Sequence, residues 1–266
     1  MHFQWLGGPT FLLEWDQFRV LTDPMFGEGP AAFVMNRHPS TEAAQAPIAR
    51  LAPLPPVQLA GMDLVLVSHL HRDHFDAPAA ERLDKNLRVA VPRPDAATVR
   101  RWGFAYVWGI NWWEHFTLEK DGARLRVMAL PARHAADEAV NADKGQVNGY
   151  LIEYRAGPER YTIYWTGDTV WFDGLTLIRE RIGRPDLLVP HMGAVGADGP
   201  RGRLTLDAAE ATRVVDLFQS ATVIPIHHHT FAHYVEPIAA LATALRDTPY
   251  ADRLVVLREG ETWPAP

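Results

Sequence analysis

Cysteine is absent from the 266 residues, which rules out disulfides and thiolate metal sites and leaves nitrogen and oxygen as the ligand atoms on offer. No uninterrupted apolar stretch approaches the roughly 18 residues of a membrane span. The N-terminus, MHFQWLGGPTFLLEWDQF, lacks the basic-then-apolar order of a signal peptide. Basic blocks are missing too: 26 Lys and Arg stand against 32 Asp and Glu, a formal net charge of -6 that offers no footprint for a phosphate backbone. These absences predict a cytoplasmic protein with no nucleic-acid partner and no stable membrane association.

The chain holds 47% hydrophobic and 22% charged residues, the balance of a soluble globular protein rather than a disordered one. Its length suffices for a substantial core. The pattern predicts a β-hairpin from 10–14 and 18–22, then a long Gly- and Pro-rich loop through residue 56 over one face. From Asp63 the order reads strand, ligand-rich turn, helix (78–84), strand (87–91), helix (94–101) and short strand (104–107). Strands at 124–130, 148–154 and 161–166 follow, then helices at 173–182 and 207–219, with Asp207 and Glu210 in an N-cap arrangement. Strands at 186–190 and 222–226, a helix at 236–246 and a last strand at 253–258 complete the plan. Two halves of similar layout, each moving from paired strands to strands alternating with helices, point to an α/β protein: two packed sheets with helices outside, one domain over 1–266.

The segment LVSHLHRDHFD, residues 66–76, sets His69, His71, Asp73 and His74 at the end of an apolar run. In extended chain, residues two apart point the same way, so His69 and His71 can face one metal while Asp73 and His74 turn toward another. Three later strands end in further candidates: His134 in MALPARH, Asp168 in TIYWTGDT and His227 in TVIPIHHHTF. Strand ends gathered on one sheet edge are where α/β proteins build sites. Seven donors exceed one tetrahedral ion and suit two metals sharing a carboxylate.

The order His-x-His-x-Asp-His, His, Gly-Asp-Thr, His resembles the metallo-β-lactamase superfamily. WLGGPTFLLE, VLTDPMF, NWWEHFTL, YWTGDT, IPIHHHTF and the terminal REGET are similar to the branch of ascorbate-6-phosphate lactonase and the N-acylphosphatidylethanolamine phospholipase D type enzymes. The resemblance implies a four-layer αββα sandwich of two mixed β-sheets flanked by helices. It implies that His69, His71 and His134 hold one divalent ion and Asp73, His74 and His227 a second, with Asp168 bridging. Zinc suits this set best; manganese and iron also accept imidazole and carboxylate. His71 stands where the diiron, flavin-linked relatives usually carry Glu, and with the missing flavodoxin-like module it favours a hydrolase.

The chemistry expected is a hydroxide held between ions roughly 3.5 to 4 Å apart, with Asp73 able to move the proton as catalytic residue. The substrate would be a small ester, lactone or phosphodiester. The alternatives are a phospholipase D-like phosphodiesterase and a non-catalytic metal-binding protein of the same fold. The expected partner is a small molecule; self-association is left open. His191 and His229 are candidate pocket residues, while Arg203, with Arg201, is a candidate clamp for an anionic substrate. His228 points elsewhere by strand alternation; His2, His38, His115 and His233 are unassigned. Trp102, Trp108, Trp112 and Trp113 read as packing rather than as an aromatic channel. Gly8 stands where the family commonly has His, which puts that group's role in question.

Overall fold

The apolar run ahead of the histidines forms β6 (Leu64–Leu66), fully buried, in a computed structural model that describes residues 1–265. Its neighbours build a seven-stranded sheet from β1 (His2–Gly7), β2 (Thr10–Glu14), β3 (Arg19–Thr22), β6, β7 (Arg88–Pro92) and β8 (Tyr106–Ile110), with β15 (Thr262–Pro264) outside β1. Between β3 and β6 lie β4 (Phe33–Arg37) and β5 (Ala44–Ile48), a separate two-stranded hairpin. The second sheet has six strands in the order β14 (Thr222–Val223), β13 (Leu187–Val189), β12 (Glu159–Trp165), β11 (Asn148–Ala156), β10 (Ala123–Pro131), β9 (His115–Lys120).

Both sheets change from antiparallel to parallel part-way across: at β3 to β6 in the first and at β12 to β13 in the second. The two halves therefore repeat one plan. Alternation on the strands buries a shared core between the sheets, where Trp5, Phe11 and Leu64 meet Val127, Tyr150 and Trp165. The outer face of the first sheet packs Val65 and Val89 on Ala79 and Val99 of α1 (Ala77–Arg82) and α2 (Ala96–Arg101). On the second, Tyr164 and Leu188 pack on α4 (Gly174–Ile182), α5 (Ala208–Phe218) and α6 (Ala239–Leu245). The result is the αββα sandwich.

Asp207 caps α5 by accepting from the Glu210 N–H, as the sequence predicts. Two expectations need correction. The segment through residue 56 is not all loop: it contains the β4–β5 hairpin, whose strand signal is weak because Pro47 and polar residues sit in an edge strand. Residues 253–258 form no ladder strand, since Leu254 makes only an isolated bridge to Val223; the terminal strand is β15. The stretch after His134 carries a helix, α3 (Glu138–Lys144), capped by Asp137. No helix among the described residues is long and apolar enough to cross a membrane.

Candidate metal centre

The strand ends converge. His69, His71, Asp73 and His74 follow β6, His134 follows β10, Asp168 follows β12, and His227 lies just beyond β14. The Nε2 of His69 and of His134 lie 2.9 Å and 3.0 Å from Nδ1 of His71. That group is joined to the rest by Asp168, whose Oδ2 is 3.6 Å from His134 Nε2 and 3.3 Å from His74 Nε2, while its Oδ1 is 3.6 Å from His227 Nε2. Asp73 Oδ2 stands 3.8 Å from both His74 and His227.

Hydrogen bonds behind these rings fix which nitrogen faces the centre. His134 Nδ1 donates to Leu204 O at 2.9 Å and His227 Nδ1 to Met192 O at 3.2 Å, acceptors that demand an N–H. Asp23 receives the Ser68 hydroxyl at 2.6 Å and His74 Nδ1–H at 2.7 Å. Ser68 Oγ, its one proton given to Asp23, accepts from His69 Nδ1 at 3.0 Å. Four imidazoles thus turn their Nε2 atoms inward, held by carboxylate, carbonyl and hydroxyl partners in the manner of metal-binding histidines.

Inside the cage these atoms have few partners: those of His69 and His134 meet only the His71 ring. The Nε2 atoms of His74 and His227 are buried without a hydrogen bond, as are both ring nitrogens of His233. Buried acceptors facing one another and two carboxylates are costly unless a cation lies among them. Nitrogen donors about 3 Å apart are also close to the spacing around a tetrahedral ion with bonds of roughly 2.0 to 2.1 Å. The residues fit divalent metal.

The charge balance agrees. Burial holds His71 down to about 3 and His134 to about 4, so both stay neutral donors. Burial also opposes charge on His74, yet Asp168, Asp23 and Asp73 override it and raise that imidazole well above its usual value. Burial likewise disfavours ionised Asp168, but His227, His74 and the His191 hydrogen bond hold it well below the ordinary carboxylate range. An excess of negative charge waits for positive charge in the cage.

The cage floors a cavity of about 610 Å³. One wall is β4 (Phe33, Val34, Met35), another is Val195, Arg201 and Leu204, and α3 contributes Asp143 and Lys144. A salt-bridged strap closes one side of the mouth: Glu42 of the hairpin tip accepts from Arg37 at 2.7 Å and from Arg201 at 3.1 Å.

Three expected pocket residues lie elsewhere. His191 is fully buried behind the cage; its Nε2 accepts from Trp165 Nε1 at 2.6 Å, so its Nδ1–H donates to Asp168 Oδ1 at 2.7 Å. His229 sits away from the cavity with Glu259 at 3.1 Å, drawn there by the left-handed turn at its own φ of 42°. Arg203 is bound to Asp207 and Glu210 at the start of α5, two carboxylates that hold its guanidinium away from the cavity. Arg201 does line the cavity, and no tryptophan does among the described residues. His228 turns its ring onto Trp5, centroids 4.6 Å apart.

Other residues escaped the sequence reading. Asp23 and Ser68 lie in VLTDPMF and LVSHLH, and their neighbourhood to ligands was the signal available. His233 approaches Asp73 Oδ2 to 3.5 Å, and nothing in its local sequence announces that. Gly8 now has a reason: at φ +55° a Cβ there would lie 2.5 Å from the Phe231 ring, so no His fits.

Residues 18–228 match the family model described as the beta-lactamase superfamily domain. The chain belongs to the metallo-β-lactamase superfamily. Among its relatives, the N-acyl-phosphatidylethanolamine-hydrolyzing phospholipase D 1 of Caenorhabditis elegans is 27% identical, over 98% of this chain and 75% of that protein. A metal-dependent hydrolase of Methanosarcina barkeri (strain Fusaro / DSM 804) is also 27% identical, over 85% of this chain and 83% of its own length. The isothiocyanate hydrolase from Delia radicum gut bacteria superimposes with a TM-score of 0.81 at 24% identity, covering 99% of both chains, which establishes the common fold. Within the superfamily this chain stands with the metal-dependent hydrolases.

Proposed function

We propose that the protein is a dinuclear hydrolase of a small ester, lactone or phosphodiester, with His69, His71 and His134 around one divalent ion, Asp73, His74 and His227 around another, and Asp168 between them. The observation that carries this reading is the position of Asp168, with one oxygen within 3.6 Å of donors from both groups. Two such ions, zinc by preference, would acidify a water and polarise the electrophile. Everything else falls to the chain. Trp165 and His191 orient the Asp168 carboxylate from behind. Asp73, at the cavity floor with His233 beside it, is placed to accept and pass on the proton released by the attacking water. Phe33, Val34 and Met35 give the substrate an apolar wall that keeps bulk water from the reacting bond.

The likeness to a phospholipase D favours a second reading, in which the scissile bond is a phosphodiester of a lipid. A single preparation separates them. Metals are counted by plasma mass spectrometry, and turnover is followed on a lactone and ester panel, on bis(p-nitrophenyl) phosphate, and on the phosphodiester in vesicles. About two metals with carbonyl-directed turnover supports the first reading, and turnover that needs a vesicle surface supports the second. No bound metal after supply of zinc, manganese or iron would sink both.

A further inference from the structure

Asn141 of α3 accepts the backbone N–H of His134 at 2.8 Å, which docks the helix against the cage. Lys144 lies three residues on, the spacing that shares a helix face, and it lines the cavity half-buried. The acids of α3 are occupied elsewhere: Glu138 pairs with Arg133 at 3.7 Å and Asp143 with Arg201 at 4.0 Å. Among the described residues Lys144 has neither an ion pair nor a hydrogen bond. The other cations of the lining differ, since Arg37 and Arg201 share Glu42, and Arg72, exposed, donates to Val34 O.

The field felt by Lys144 comes from the cage and from its neighbours Asp143 and Arg201. Burial lowers its ammonium from the usual value and Arg201 adds to that, while Asp73, Asp143 and Asp168 pull the other way. Asp73 and Asp168 are the carboxylates a pair of divalent ions would neutralise. A half-buried ammonium beside a metal-filled cage is then left with Asp143, which is shared with Arg201 at 4.0 Å, and such a group is costly to maintain unless a ligand brings a counter-charge.

We propose that Lys144 is the anion anchor of this cavity, engaging a phosphoryl or carboxylate oxyanion of the substrate while the reacting bond lies over the cage; this rests on reading the cavity as the hydrolase site. The anionic members of the substrate range are thereby selected over neutral ones. The bland role for a lysine in the last turn of a helix is to stabilise the helix end. That role would move stability and leave anion affinity alone.

The test uses the zinc-loaded protein and inorganic phosphate as the probe, titrated calorimetrically into wild type, Lys144→Gln and Lys144→Arg, with thermal unfolding recorded for each. Removing one charge-assisted contact is expected to weaken phosphate about tenfold in Lys144→Gln, with Lys144→Arg retaining most of the affinity. The ratio of kcat/KM for bis(p-nitrophenyl) phosphate to that for p-nitrophenyl acetate should fall in Lys144→Gln, through KM. Equal phosphate affinity in wild type and Lys144→Gln, or no phosphate binding by wild type, would overturn the assignment. Zinc counted in the same samples reports separately on the cage: a protein that holds none defeats the hydrolase reading, while the difference in phosphate affinity still decides the lysine.

Discussion

His191 Nδ1 donates to Asp168 Oδ1 across 2.7 Å, with the other side of the ring held by the Trp165 indole. A histidine expected to touch substrate is instead the brace of the carboxylate at the centre of the cage. Replacing His191 by Phe keeps the ring and removes both hydrogen bonds. Metal affinity should drop roughly 10- to 100-fold, the usual cost of losing such a partner, as read by competition with a chromogenic chelator. Unchanged retention would mean that Asp168 needs no brace.

Asp23 is an acceptor on every side, taking Ser68 N at 2.6 Å on Oδ1 and both Ser68 Oγ and His74 Nδ1 on Oδ2. Asp23→Asn must turn its NH2 toward one of these donors. The variant is expected to lose roughly 1 to 3 kcal/mol of stability by denaturant unfolding, and to bind less than the wild-type complement of metal because His74 loses its orientation. Wild-type metal content with full stability would contradict that role.

Gly8→His tests the packing account of the family's missing residue. With φ at +55° and the Phe231 ring 2.5 Å from where a Cβ would stand, the substitution should cost about 1 to 3 kcal/mol, measured by urea unfolding. Adding Phe231→Ala should recover less than the whole, because the backbone strain remains. An unshifted midpoint in the single variant would refute the steric explanation.

The metal-free protein should lose thermal stability as the pH is lowered from 7 toward 4. His71, His191 and His228 are held down to about 3 and His134 to about 4, in each case first by burial. Unfolded, these side chains titrate near 6.5. Below that value the unfolded chain binds protons that the folded chain refuses, so the balance shifts toward unfolding until the folded values are reached. His74 acts oppositely: its raised value contributes stability that is complete below about 6.5 and is lost as the pH rises through the folded value. A melting temperature that is flat or rises between pH 6.5 and 4 would contradict the neutral assignment of these four rings.

The sandwich was legible because its signals are local. Apolar runs flanked by Gly and Pro gave β6, β7 and β10 to β13, and the capped helix at Asp207 was placed within a residue. The cage was legible in outline, since His and Asp at strand ends have few other reasons to recur. The contributions of His233, Asn141 and Lys144 were not, because each reaches the site through a turn or short helix whose direction depends on packing against distant segments. Arg203 shows the converse: its chemistry was right for an anion, but Asp207 and Glu210 lie closer than the cavity does.

The donors come from both sheets: His69 to His74 from the loop after β6, and His134, Asp168 and His227 from the ends of strands in the other layer. The two layers meet through the core that packs Leu64 and Phe11 on Val127 and Tyr150, and through hydrogen bonds such as those from the Tyr150 hydroxyl to Val67 O at 2.7 Å and from Asn148 N to Ser68 O at 2.9 Å. A sub-ångström slide of one layer on the other would therefore leave each half of the donor set intact and spoil the distances between them. Residues that never see substrate, buried deep between the sheets, act as the gauge block that sets those distances. Directed changes in that seam offer a way to tune the reactivity of the centre without touching a single donor.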